Sequence, residues 1–272
     1  MNAVPSALVP YQGAAVALVS YLATALWMGA VIAALGALVV RVWKPLDAAA
    51  RYAVWYVALI AVVLGPLATT VALQRAQASP TPAQIAAKLQ AAQDAHTPVH
   101  FAVRRPRPAI ALPPFVAYGA AAVWLLVVLG GAARFVAGAL VLARLKRDAL
   151  PLAPERRAAL PLWRSHAGAA GARHARLCVS DRVEVPVAVG LFDGMVVIPQ
   201  QVMDEFEPCD VDRFVLHELA HLERRDDWTT VVQRVVQIAM FFNPAVHVIA
   251  RQLDLEREIA CDDRVVAETS DV

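Results

Sequence analysis

Between Ala3 and Val40 there is not one Asp, Glu, Lys, Arg or His. A water-soluble domain does not leave so long a stretch uncharged, and Ala14 to Val40 alone exceeds the roughly 20 residues that carry a helix across a bilayer. No basic segment precedes the run, and it outlasts the apolar core of a signal peptide, so it reads as a retained span. Cysteine is scarce too: Cys178, Cys209 and Cys261 are odd in number and far apart, which excludes a disulfide framework and suits a reducing compartment. A net charge of +2 gives no reason to expect direct contact with nucleic acid. Internal repeats and glycine-rich phosphate loops are absent as well.

What the chain has in quantity is apolar side chains, 59% of the 272 residues. Two further uncharged runs, Ala53 to Leu73 and Phe115 to Ala133, are long enough to span; Gly65 and Pro66 in the former are tolerated as a kink. Arg134, which follows the last run, reads as a side chain snorkelling to the interface. Arg41, Lys44 and Arg51 crowd the loop after the first run, and Arg144, Lys146, Arg147, Arg156 and Arg157 follow the third. Positive charge marks the cytoplasmic side, so the N-terminus is expected outside, although Arg104, Arg105 and Arg107 run against that assignment. The expected division is a membrane region, 1–142, with spans at about 14–42, 53–73 and 115–142 and an external loop at 74–114, followed by a cytoplasmic domain, 143–272. The basic residues after the third span are expected against anionic lipid.

The external loop is rich in proline, which argues against a folded domain there, with one helix expected over Thr81–Ala95. His96 and His100 flank Pro98 and make a poor metal site. Further on, Glu155–Ala170 reads as a surface helix. Arg176–Ser180, Val185–Phe192 and Met195–Ile198 are short β-branched runs, the last two joined through Asp193-Gly194 as a hairpin. These form a small sheet, and an exposed edge among Val187, Ala188, Val189 and Gly190 could pair with an extended peptide.

Within Phe214–Asp226 the order His217-Glu218-x-x-His221 sets two imidazoles four residues apart on one helix face, with a carboxylate beside them. Such a pair can hold one Zn²⁺ while the glutamate acts as base, but two ligands do not complete a hydrolytic site, and an amphipathic helix can carry two histidines by chance. Asp210 is the expected N-cap of a helix over Val211–Asp227, with Asp212 in its first turn and Phe214, Val215, Leu216 and Leu219 buried. Trp228–Arg251 is apolar but interrupted, and reads as an interfacial or re-entrant helix broken at Asn243-Pro244, with His247 structural. In the last helix, Gln252–Glu268, Asp254, Glu258 and Asp262 stack at four-residue intervals. That stack is either a solvated acidic stripe relieved by Arg251 and Arg257 or one side of a cation site.

Three segments together are more specific: His217-Glu-Leu-Ala-His-Leu-Glu-Arg-Arg-Asp226, Phe241-Phe-Asn-Pro-Ala-Val246 and Glu256-Arg-Glu-Ile-Ala-Cys-Asp262. They resemble the successive signatures of the BlaR/MecR family of integral-membrane zinc metallopeptidases, and Pro186–Phe192 with Val197–Pro199 resembles that family's strand pair. The resemblance implies a multi-pass helical membrane protein with a cytoplasmic α+β domain of gluzincin type. It also implies one Zn²⁺ per chain held by His217, His221 and Glu258, Glu218 as general base, and Asp226 and Asp262 orienting the ligands. Family members continue past the Cys-Asp motif into a further span and an external domain, so relative to them the domain is C-terminally incomplete at Val272, and beta-lactam sensing is not implied by these residues.

The expectation is a zinc endopeptidase of the inner cell membrane that cleaves a cytoplasmic protein, such as a transcriptional repressor, or its own chain in transmembrane signalling. The alternatives are a non-catalytic zinc-containing receptor or scaffold, and a membrane metalloprotease of the prenyl-protein or quality-control type.

Overall fold

A computed structural model of the chain describes residues 12–43, 46–77, 86, 90, 113–167 and 175–270. Lys44, His96, His100 and the arginines at 104, 105 and 107 lie outside them. Of the expected Thr81–Ala95 helix only Ala86 and Gln90 are described, both helical.

Among the described residues three helices are long and apolar enough to cross a membrane: α1 (Gln12–Val42), α2 (Ala48–Gln77) and α3 (Pro114–Asp148). α2 begins five residues before the expected span, taking Arg51 and Tyr52 into its first turns, and continues through Pro66. α1 and α2 approach closely where side chains are small. A Cβ on Gly36 would lie 3.2 Å from the Trp55 ring, and one on Gly65 would lie 3.0 Å from the Met28 methyl. In lipid such contacts gain by close packing rather than by leaving water, which is why glycine and alanine sit at these seams. The Tyr21 hydroxyl also donates to the Val63 carbonyl across the seam, at 3.1 Å.

The second half begins with β1 (Leu150–Pro151), α4 (Pro154–Ala158) and α5 (Pro161–Ala167). The single helix expected over Glu155–Ala170 is thus two short ones, because Leu160 turns inward and Pro161 restarts the helix; residues 168–174 are outside the described set. β2 (Ala175–Val179), β3 (Val187–Val189) and β4 (Gly194–Ile198) complete a sheet of order β1-β2-β4-β3. β2 runs parallel to β4, while β3 pairs antiparallel with it, Ala188 opposite Val196, so the expected hairpin forms and β3 is an edge. Gly190 closes its turn with φ +141°, where a Cβ would collide with the Asp193 carbonyl oxygen.

α6 (Gln200–Glu205), α7 (Pro208–Glu223), α8 (Asp226–Ala239) and α9 (Pro244–Ser270) follow. Val211, Val215, Leu219 and Leu222 of α7 pack on Leu177, Val196 and Ile198 of the sheet, with Trp163 closing the same core. The expectations for α7 are corrected at its two ends, which lie at Pro208 and Glu223, at Asp212 and at Phe214. The helix starts at Pro208, so Glu207 rather than Asp210 occupies the N-cap position, and Asp210 pairs with Arg213. Asp212 is buried and accepts from the Leu162 and Trp163 N–H groups at 2.7 and 2.9 Å, capping α5 from a distance. Phe214 is not buried; it stands on the outer face of α7 against Phe206.

The break at Asn243-Pro244 separates α8 from α9, and the expected Gln252–Glu268 helix is the continuation of α9 from Pro244. The Asn243 Nδ2 donates to the Ala25 carbonyl of α1 at 2.9 Å, while its Oδ1 accepts from Ala245 N–H, capping α9. His247 Nε2 donates to the Phe241 carbonyl, a structural role. Val236, Met240, Val246, Ile249 and Leu253 join Ala25, Trp55, Leu59 and Val62 in one core, so α8 and α9 are packed on the apolar helices.

Candidate metal centre

α7 supplies His217, Glu218 and His221 from one face; its opposite face is held on the sheet by the leucines and valines of the core. α9 packs against α7 and brings Glu258 to the same point. Glu258 Oε2 lies 3.5 Å from His217 Nε2 and 3.8 Å from His221 Nε2. Two ligands at about 2.0–2.2 Å on a tetrahedral ion stand roughly 3.4 Å apart, so these three atoms can share one ion with little movement. Two imidazoles and a carboxylate are also a donor set that suits zinc.

The outer ring nitrogens are engaged. His221 Nδ1 donates to Asp226 Oδ2 at 2.9 Å, and His217 Nδ1 meets Asp262 Oδ1 at 3.0 Å, which turns both Nε2 atoms toward Glu258. Asp226 reaches back because the chain turns at Arg225, whose φ of 61° and ψ of 36° are left-handed, so that α8 starts immediately with Asp226. Arg224 Nε also donates to Asp226, at 3.3 Å. Cys261, buried and not in a disulfide, has its Sγ 3.3 Å from His221 Nδ1.

Asp254, expected in the carboxylate stack, is turned away: it accepts from Gln233 Nε2 and from Arg257, both at 3.0 Å. Glu256 is buried and paired with Arg51 of α2.

Glu218 is aimed differently from the histidines. Its Oε2 accepts the Ala188 N–H of edge strand β3 at 2.6 Å, a contact not evident from the sequence because it needs the tertiary placement of the sheet. Burial pushes the Glu218 carboxyl above its ordinary value, against the opposing pull of His221, the Ala188 N–H and His217. Burial disfavours a charge on His221, yet the Asp226 carboxylate and the Cys261 sulfur outweigh it and raise the imidazole to about 10. Metal uptake at His221 therefore competes with a proton.

Beside these residues lies a cleft of about 910 Å³. One wall is β3 with Glu218 and His221, and the other is α3 at Gly131, Phe135 and Gly138. All four edge residues named from the sequence, Val187 to Gly190, line it.

Residues 19–272 match the sequence profile of the family described as BlaR1 peptidase M56. The chain belongs to that family. Among curated relatives, the methicillin resistance mecR1 proteins of Staphylococcus aureus and Staphylococcus epidermidis are each 26% identical over 94 residues, 35% of this chain and 16% of theirs. The regulatory protein BlaR1 of Bacillus licheniformis is 26% identical over 87 residues, 32% of this chain and 14% of its own. The matched segments thus span about one sixth of those relatives, whereas the M56 profile covers nearly all of this chain.

Proposed function

We propose that this chain is a multi-pass membrane zinc endopeptidase whose ligands are His217, His221 and Glu258 and whose general base is Glu218. The observation that carries this reading is the convergence of both Nε2 atoms and a Glu258 oxygen on one point, with Glu218 of α7 bonded to the edge strand β3 in the same cleft. Membership of the M56 family supports it.

When bound, a zinc ion at that point supplies Lewis acidity to a peptide carbonyl and makes a water there more acidic. The chain's own residues do the rest. Asp226 and Asp262 hold each imidazole by Nδ1. Glu218, its proton affinity raised by burial, takes the water's proton on a carboxylate oxygen and delivers it to the leaving amine. The Ala188 N–H fixes that carboxylate. Antiparallel pairing turns the peptide groups of Val187 and Val189 to β4, leaving the Ala188 carbonyl to receive an N–H from a substrate laid along the edge.

The orientation with the N-terminus outside and the zinc domain cytoplasmic draws support from attachment. Two of the contacts that tie this half to the apolar helices lie at those helices' basic ends: Arg51 with Glu256 of α9, and Lys146 Nζ, which donates to the Asp193 carbonyl of the β3–β4 turn at 2.7 Å. Three spans, a zinc domain over 143–272 and a cytoplasmic protein substrate of repressor type, or the chain itself, complete the reading.

The test is cleavage of a proteome-derived peptide library by purified protein before chelation, after it, and after zinc is restored. Activity lost and regained with zinc is expected; chelator-resistant cleavage would remove the reading.

A further inference from the structure

The end of the cleft away from the acidic residues carries two cations. Arg134 of α3 and Arg234 of α8 both line it. Among the described residues no hydrogen bond or ion pair engages Arg134, and Arg234 donates only to Gln237, one turn along its own helix, at 3.0 Å. Arg257, a third arginine on the lining, is committed to Asp254 and Gln233.

The packing brings Arg134 and Arg234 to one place. α3 and α8 touch at Gly131, where a Cβ would lie 2.9 Å from the Ile238 side chain, and the Trp124 Nε1 donates to the Ala239 carbonyl. Farther along α3, Lys146 bonds Asp193, beside the Phe192 ring that packs on Trp228 near the start of α8. The two helices are therefore antiparallel. Arg134 lies three residues after Gly131 and Arg234 four before Ile238, so both sit on the same side of the contact, about 4.5 and 6 Å from it at 1.5 Å per residue.

Distance to the metal centre follows from α8. Asp226, which bonds His221, shares a cleft-facing stripe with Thr230 and Arg234. Eight helical residues span about 12 Å, the length of three to four residues of extended peptide at about 3.3 Å each. At the metal end, Glu218, Asp226, Asp227 and Glu258 repel a carboxylate; at the other, Arg134 and Arg234 have no carboxylate bonded to them among the described residues.

We propose that Arg134 and Arg234 form an anion subsite that selects peptides carrying Asp or Glu three to four residues from the bond to be cleaved. The proposal rests on the peptidase reading for what lies in the cleft. A lipid phosphate could meet the same guanidinium groups, but the site adjoins a strand edge and Glu218, which serve a peptide.

The test uses the full chain, zinc-depleted so that nothing is cleaved, in phosphatidylcholine nanodiscs. Fluorescent decapeptide pools of Ala, Ser, Leu and Val, each with one central Glu, Gln or Lys, are titrated by anisotropy against wild type, Arg134→Gln/Arg234→Gln and Arg134→Glu/Arg234→Glu. Wild type should prefer Glu over Gln by about ten-fold, the scale of one charge-assisted contact. The glutamine variant should lose that preference and the glutamate variant should favour Lys. Zinc content after reloading is measured for each variant to verify that the fold survives. No preference in wild type, or the same preference in all three folded proteins, would overturn the proposal. So would loss of phosphatidylglycerol vesicle binding in the variants with unchanged peptide discrimination. Cleavage by zinc-restored wild type is scored separately: charge discrimination without cleavage would keep the subsite and remove the peptidase reading.

Discussion

Glu256 of α9 is bonded to Arg51 of α2 at 2.8 Å, its side chain 6% exposed. That pair sets the rotation of α9. Two residues along a helix turn the side chain by about 200°, so with Glu256 held against the apolar helices, Glu258 is presented to His217 and His221.

The two glutamates should therefore behave oppositely. Glu258→Gln is expected to lower bound zinc sharply, while Glu256→Gln keeps it near one per chain and costs about 2 kcal/mol of stability, as for a hydrogen-bonded charge with one partner removed. Metal analysis and chemical denaturation check both. Zinc lost from Glu256→Gln and kept in Glu258→Gln would move the ligand.

Asp226→Asn should weaken zinc binding by about 10–100-fold without abolishing it, since the carboxylate orients His221 and raises its basicity. Competition against a chelator of known affinity measures this. An unchanged affinity would make the 2.9 Å contact incidental.

Gly190→Ala should disturb the β3–β4 turn, because φ +141° is closed to a side chain and the Cβ meets the Asp193 carbonyl. A cost of about 1–3 kcal/mol is expected. As β3 carries the Ala188 N–H that fixes Glu218, cleavage should fall while zinc stays bound. Parallel metal and activity measurements separate the two; full activity at wild-type stability would contradict the expectation.

Away from the site, His166 Nδ1 donates to the Leu162 carbonyl at 2.9 Å and Nε2 to Glu268 at 3.0 Å, which together require the imidazolium. Burial opposes the charge, but these partners win and the folded value lies above 6.5. A raised folded value means the contribution is complete below about pH 6.5 and is lost as pH rises through the folded value. Melting temperature should fall from pH 6 to pH 9 more steeply in wild type than in His166→Gln. Equal slopes would show that the pair does not titrate in this range.

The apolar helices were readable because some 20 uncharged residues leave a chain few other options. The common face of His217, Glu218 and His221 was readable because helical spacing is local. What depends on residues far apart in sequence was not. The role of Asp212 lies with two N–H groups some fifty positions earlier, and Phe214 fits the buried pattern of α7 until Phe206 is seen outside it. Four-residue spacing put Asp254 in the acidic stack, but Gln233 and Arg257 turn it away. Cys261 carried a cue in its place within the Cys-Asp motif, but its contact with His221 needed the packing of α9 against α7.

The measurement that bears most directly on the central claim is peptide cleavage by the Glu218→Gln chain at known zinc content. Glu218 is the base and not a ligand in this account, so zinc should remain near one per chain while hydrolysis falls by at least about 10²-fold. Wild-type cleavage by the variant, or zinc lost along with activity, would contradict it.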